Sequence, residues 1–171
     1  VPVLVLGKAG SAGTEKGVSP VLRDDVVVAT VRASRWKEAA TAVVGNREWV
    51  LARAGRELTG REAHDPEGTA RLRARQTSWW KSTWSVDLGG TQVQAQPASW
   101  WHGSRRYLAG DRVVAESGGT GGWWPRPTLR ADDGLSLDEQ VFLLWLELVI
   151  RGRDAAVLGG DGGGDGGGGG D

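Results

Sequence analysis

The sequence predicts a β-rich α+β fold: an antiparallel meander that closes into a barrel, or a strongly curved sheet, around a buried C-terminal helix at 137–151. Three observations carry this. Short β-branched or alternating runs recur between glycine turns. A two-strand unit repeats, with Ala74-Arg-Gln-Thr-Ser-Trp-Trp80 in the same frame as Ala95-Gln-Pro-Ala-Ser-Trp-Trp101. Near the end, the run Val141 to Ile150 is apolar almost all round, and a helix of that kind must be wrapped by the rest of the protein.

Residues 1–20 are rich in Gly, Ala, Ser and Pro and are expected to form a flexible leader, with room for a short strand at Val3–Leu6. Gly7, Gly10 and Gly13 have a phosphate-loop look, but no helix pattern comes after them to point its N-terminus at an anion. Val26–Val31 is a β-branched strand bounded by Asp24-Asp25. Residues 35–44 are expected to be helical first, from their alanines, and extended at Val43-Val44. Runs 49–54 and 57–63 flank Gly55-Arg56 as a hairpin, and His64–Gly68 is a turn.

From Thr69 the period is two: Ala70, Leu72 and Ala74 alternate with Arg71, Arg73 and Arg75. The next hairpin can be read in register. A turn at Gly89-Gly90 sets Val86 opposite Val93 and Trp84 opposite Ala95, and a one-residue slip would bury Ser85, Asp87, Gln92 and Gln94. Gly118–Gly122 reads as a mobile loop, and Pro125 and Pro127 make the strand after it an edge or a strand end. Ser136 and Glu139 form a capping box for the helix, with Gly152 placed to stop it and Glu147 and Arg151 spaced as an i,i+4 pair.

This C-terminal pattern, Leu135-Ser-Leu-Asp-Glu-Gln-Val-Phe-Leu-Leu-Trp-Leu-Glu-Leu-Val-Ile150 after an antiparallel meander, resembles the tubby C-terminal, phospholipid scramblase and LURP-one-like superfamily. The resemblance spans about residues 43–158 and implies a barrel enclosing the helix. It carries over none of the family's phosphoinositide-binding positions.

The domain plan is then a leader at 1–20, one domain at 21–158 and a disordered Gly/Asp tail at 159–171, whose residues cannot bury apolar surface. Without that tail the chain holds 21 Lys+Arg against 18 Asp+Glu, a balance that argues against a dedicated nucleic-acid binder. There is no cysteine, which excludes disulfides, thiol nucleophiles and Cys-based zinc sites. No apolar run approaches the roughly 20 residues of a membrane span. A cytoplasmic location is expected, and the excess of Arg over Lys suggests a bacterial, high-GC source.

Catalytic patterns such as G-x-S-x-G, H-E-x-x-H and the P-loop are missing from the sequence, so no catalytic residue, metal ligand or cofactor is assigned. The leading expectation is a non-enzymatic binding or scaffold domain for anionic phosphate or lipid head groups. Its candidate ligand residues are Arg71, Arg73, Arg75, Lys81, Trp101, His102, Arg105, Arg106 and Arg126. Arginine offers forked donors to phosphate, and tryptophan suits a membrane interface. Each Trp pair, at 79–80, 100–101 and 123–124, is expected to send one ring inward and one outward. Two other classes stay open: an enzyme with His102 in a Trp-lined cleft, and a protein-interaction domain using an exposed Trp pair.

Overall fold

The computed structural model describes residues 2–99 and 103–159. The pair Trp100-Trp101, and the Gly/Asp tail beyond Gly159, lie outside the described residues. Twelve antiparallel strands close a barrel in simple order, each pairing with the next and the first with the last. They are β1 (Val3–Leu6), β2 (Ser19–Arg23), β3 (Val26–Ala33), β4 (Ala39–Val44), β5 (Arg47–Ala54) and β6 (Glu57–Glu62). β7 (Leu72–Ser78), β8 (Thr83–Leu88), β9 (Thr91–Pro97), β10 (Arg105–Ala109), β11 (Arg112–Gly119) and β12 (Pro127–Ala131) complete the ring. The helix α1 (Leu137–Gly159) runs up its middle.

Size explains the pairing of this barrel with this helix. Twelve strands about 4.8 Å apart and tilted by about 40° form a ring about 24 Å across. A helix with its side chains is about 10–12 Å wide, so roughly 6 Å remains on every side for inward-facing residues. Those residues are Leu4, Val31, Ala42, Leu51, Leu58, Ala74, Val86, Val93 and their neighbours, and they pack on Phe142, Leu143, Leu144, Trp145 and Leu146. Gly60 marks a close approach of wall and helix. A Cβ there would meet Leu51 Cδ2 at 3.2 Å and Phe142 Cδ2 at 3.3 Å.

The expected register is present: Trp84 pairs with Ala95 and Val86 with Val93. The large indole is buried where its neighbour is small. Outward positions of the strands carry Arg32, Arg73, Arg75, Arg106, Glu116 and Arg130. The wall is thus polar outside and apolar inside, the reverse of a lipid-facing barrel. Among the described residues no helix is long and apolar enough to cross a membrane.

Four expectations are corrected. Val3–Leu6, within the stretch expected to be a flexible leader, is barrel wall: β1 closes the ring, with Leu4 against Leu129 on one side and Arg23 on the other. Residues 34–38 form a loop where a short helix was expected, and β4 starts at Ala39. The helix passes through Gly152 to Gly159, because the turn beyond Gly152 gains a partner: Arg153 grips Glu38 through two contacts. The Gly118–Gly122 loop is shorter at its start, since β11 keeps pairing to Gly119. Pro127 is the first residue of β12, in line with the strand-end reading.

The capping box forms as read. Ser136 N–H donates to Glu139 Oε2 at 2.7 Å, and Glu139 N–H to Ser136 Oγ at 3.3 Å. Asp138, in the first turn, accepts from Trp49 Nε1 at 2.7 Å and pairs with Arg47, tying the helix start to β5.

Candidate functional site

An up-and-down barrel sorts its connections: every second one lies at the same end. At the end where the helix begins lie connections 24–25, 45–46, 63–71, 89–90, 110–111 and 132–136. They hold Asp24, Asp25, Asp65, Glu67, Asp111, Asp132 and Asp133, with Arg71 as their one Lys or Arg. At the end where the helix leaves lie connections 7–18, 34–38, 55–56, 79–82, 98–104 and 120–126. Their described residues hold Lys8, Lys16, Arg35, Lys37, Arg56, Lys81 and Arg126 against Glu15 and Glu38. All seven of these cations are exposed, and none has an acidic partner among the described residues. A chain of zero formal charge is therefore strongly polarised along its axis.

The exposed tryptophans go with the cations. Trp36, Trp79, Trp80, Trp123 and Trp124 all stand in connections of the helix-exit end, four of them 89–96% exposed and Trp79 63%. Trp79 and Trp80 meet edge to face with ring centroids 4.8 Å apart. The helix projects through this rim. Its burial ends at Ile150, and Val157 and Leu158 near its tip are exposed. Single exposed apolar residues are ordinary, whereas a cluster rimmed by polar groups marks an interaction surface.

The expected one-in, one-out arrangement of the Trp pairs is overturned for 79–80 and 123–124. These pairs sit in loops, where strand alternation does not apply, and both rings of each are exposed. Among the described residues the tryptophans that fill the core are Trp49, Trp84 and Trp145.

Three arginines hold three tryptophan-bearing loops to the helix or its interior network. Arg153, near the helix end, binds Glu38 of the Trp36 loop and lies 5.3 Å from the Trp84 ring centroid. The two-pronged contact with Arg153 holds the Glu38 carboxyl below its usual range. Arg151 donates from Nη2 to Gly118 O at 2.6 Å, at the foot of the Trp123–Trp124 loop. The 120–126 loop is closed by Thr120 N–H to Arg126 O at 3.0 Å and Arg126 N–H to Thr120 Oγ1 at 2.9 Å.

Arg105 ties the third loop from inside the barrel. Its Nη2 donates to Ser82 Oγ, next to Lys81, at 3.1 Å, and its Nη1 to Glu147 Oε2, also at 3.1 Å. Glu147 is fully buried on the helix and also accepts from Tyr107 Oη at 2.5 Å. Burial, then the neighbouring carboxylate, pushes the Tyr107 phenol well above its ordinary value. Ser82 itself sits at φ 50°, in the left-handed region that non-glycine residues seldom enter.

A half-open cavity of about 620 Å³ lies on the rim between the 7–18 and 120–126 loops. Lys8 and Arg126 give it charge, Ser19 and Thr120 give hydroxyls, and Leu6, Leu148, Trp124 and Pro125 give an apolar lining. Leu148 also lines a second groove, of about 450 Å³, between the Trp36 loop and the helix.

The sequence-predicted ligand residues divide sharply. Arg71 pairs with Glu62 and Asp65, Arg73 with Glu57, and Arg106 with Glu116. Arg75 is exposed on the wall, in register with Glu57 and Ser85, and has no acidic side-chain partner among the described residues. Arg105 is a correction: it is 6% exposed and serves the interior, because Glu147 draws it in. Lys81 and Arg126 stand on the rim, while Trp101 and His102 lie outside the described residues. Sequence reading missed Lys8, Lys16, Arg35, Lys37, Arg56 and Trp36. The signal for them was positional, since each falls in a connection an even number of strands from the Trp loops.

Among the described residues no group of three His, Cys, Asp or Glu is placed to hold a metal ion. No family model, curated protein or solved structure matches this chain.

Proposed function

We propose that this protein is a non-enzymatic binding domain that docks end-on, through its helix-exit rim, onto an anionic lipid surface. The observation that carries the reading is the coincidence, among the described residues, of five exposed tryptophans and seven unpaired cations on one rim. Indole rings partition to the head-group level of a bilayer. Each Lys or Arg near an anionic leaflet adds about 1 kcal/mol of attraction. The acidic end then faces away, which opposes the inverted orientation. The cavity between Lys8 and Arg126 is the place where a single head-group phosphate would be held, with Leu6, Leu148 and Trp124 against the glyceryl portion.

Flotation with neutral phosphatidylcholine vesicles, and with vesicles containing phosphatidylglycerol, tests this. Strong binding to the anionic set at low salt is expected, weakening as the Debye length shrinks from about 10 Å at 0.1 M to about 3 Å at 1 M. Trp123→Ala with Trp124→Ala is expected to weaken it at least tenfold. Arg71→Ala with Arg73→Ala is expected to change it little, since those charges are already neutralised in place. Equal binding to both vesicle types, or none at low salt, would refute the proposal.

A further inference from the structure

Gly152 lies inside the helix, where glycine weakens the helix relative to alanine, and neither usual reason for a glycine applies to it. Its φ lies outside the left-handed region, and a Cβ built on it would meet nothing within 4 Å, whereas one on Gly60 would press on Phe142. The open space over Gly152 belongs to the groove of about 450 Å³ between the helix and the Trp36 loop. We infer that this groove takes the tail of a single-chain anionic amphiphile, a fatty carboxylate or a lysophospholipid, whose head group sits in the neighbouring cavity between Lys8 and Arg126.

Continuity is the first support. Leu148, half-buried, lines both spaces, so a chain that leaves the head cavity over Leu148 is already in the groove. There Leu148, Gly152 and Ala156 follow one face of the helix at i, i+4 and i+8, a floor about 12 Å long. Trp36 and Val149 add apolar lining. A side chain at 152 would block this floor in the middle, which gives the glycine a purpose. A groove along a single helix face suits one acyl chain rather than the two of a diacyl lipid.

Charge is the second support. The head cavity is lined by Lys8, Arg126 and two hydroxyls, with no acidic side chain. Thr120 Oγ1 already accepts from Arg126 N–H, which leaves its own O–H to donate to an anion. The one acid lining the groove, Glu38, is held by Arg153. Arg35 and Lys37 also line the groove, and side chains of this kind lay their stems on an apolar chain while their charges stay in water. Both spaces fall within the roughly 300–1,000 Å³ of small-molecule sites.

Laurate below its micelle concentration tests this with the full chain, and it offers no surface on which to dock. Calorimetry is expected to show one laurate per chain. Amide shifts are expected at Lys8, Trp36, Gly152 and Arg126 and not at Asp24 or Asp111. Shorter chains should bind more weakly, by up to about fourfold for each methylene withdrawn. Gly152→Leu fills the floor and should weaken laurate about tenfold while thermal stability is kept, because leucine is the better helix former. If that variant does not fold, Ala156→Leu, exposed on the same face, replaces it. A parallel titration with 1-lauroyl-lysophosphatidate tells a phosphate head from a carboxylate.

Binding of neither amphiphile overturns the inference. So does laurate binding that survives the filled floor, or acetate that binds as tightly as laurate. The docking reading is tested separately. A chain that floats with phosphatidylglycerol vesicles and binds neither amphiphile keeps that reading and loses this one; a chain that binds laurate and does not float does the reverse.

Discussion

The two ends of this barrel are built to the same plan with opposite signs. Where the helix begins, its own Asp138 gathers Arg47 and the Trp49 indole from β5, and the surrounding connections are acidic, four of the six being two-residue turns. Where it leaves, Arg151 and Arg153 reach out to the loops, Glu147 reaches them through Arg105, and the surrounding connections are longer, cationic and aromatic. The carboxylate of Asp138 suits the positive end of the helix macrodipole, whereas the last turn before Gly159 holds no basic residue, so Arg151 and Arg153 act through the loops they bind. One end keeps its tryptophan inside and pairs its nearest charges. The other leaves tryptophans and cations free. The helix therefore organises both ends, and among the described residues only one combines exposed tryptophans with cations that lack an acidic partner.

The largest expected effect comes from breaking the interior tie. Glu147→Ala strands Arg105 as a buried charge and leaves the Tyr107 hydroxyl without its acceptor. A loss of about 3–5 kcal/mol in urea-induced unfolding is expected. Replacing Glu147 and Arg105 together by leucine should recover much of this, because no lone charge then remains. Full loss in the double variant would mean that the Ser82 tie, rather than charge pairing, is what the network supplies.

At the acidic end Asp138→Ala should cost less, about 1–3 kcal/mol. Arg47 is half-exposed and can turn to water, so the cost falls mainly on the buried Trp49 N–H, which loses its acceptor. A loss equal to that of Glu147→Ala would erase the distinction between a solvated and a fully interior tie.

Function should separate the ends where stability does not. Lys8→Ala with Arg126→Ala is expected to weaken binding to anionic vesicles about tenfold, or about 1.4 kcal/mol. Asp24→Asn with Asp25→Asn removes as many charges from the far end and should leave flotation unchanged. If the loss of these two acids tightens binding as much as the loss of the two cations weakens it, net charge governs binding and the rim has no special standing.

How much of this is legible in the sequence depends on the range of the interaction. Local and period-two signals can be read in full: the Trp84–Ala95 register, the Ser136–Glu139 capping box, and the need to wrap an all-apolar helix. What escapes is long-range. Val3–Leu6 is a strand whose partners stand at 128–130 and 21–23, and nothing nearby announces barrel closure. Arg105 reads as one more surface cation because Glu147 is 42 positions away. Aromatic β-preference puts the Trp pairs in strands. Their spacing holds the better clue. A repeat of two antiparallel strands returns the chain to the end it started from, so any residue recurring with that period in the connections must collect on one rim. Residues 71, 73 and 75 obey an equally clear alternation, yet alternation reports only which face a charge occupies and not whether Glu57 or Glu62 already neutralises it.

The smallest effect concerns the tie between Glu38 and Arg153, which anchors the Trp36 loop. Arg153 holds the Glu38 carboxyl below its usual value, with a smaller contribution from Arg53. A depressed folded-state pKa means that the pair's contribution is fully present above the unfolded value, near 4.3–4.5, and is lost as pH falls through the folded value. The pair is partly solvated, so the contribution should stay below about 1 kcal/mol. Unfolding free energies measured between about pH 6 and pH 3 should therefore fall slightly less steeply in Glu38→Gln than in the parent, with the two curves converging at the acid end. Below the folded value the 34–38 loop should also loosen, and the protection factor of the Trp36 amide, taken against its intrinsic exchange rate at each pH, should fall before those of the core amides of Leu143 and Leu144 change. A Trp36 protection factor no lower at pH 3 than at pH 6 would show that the Ser34–Ala39 backbone contact, 2.8 Å from Ser34 N–H to Ala39 O, is enough to hold the loop, and that the guanidinium tie at this loop is dispensable where the interior one is not.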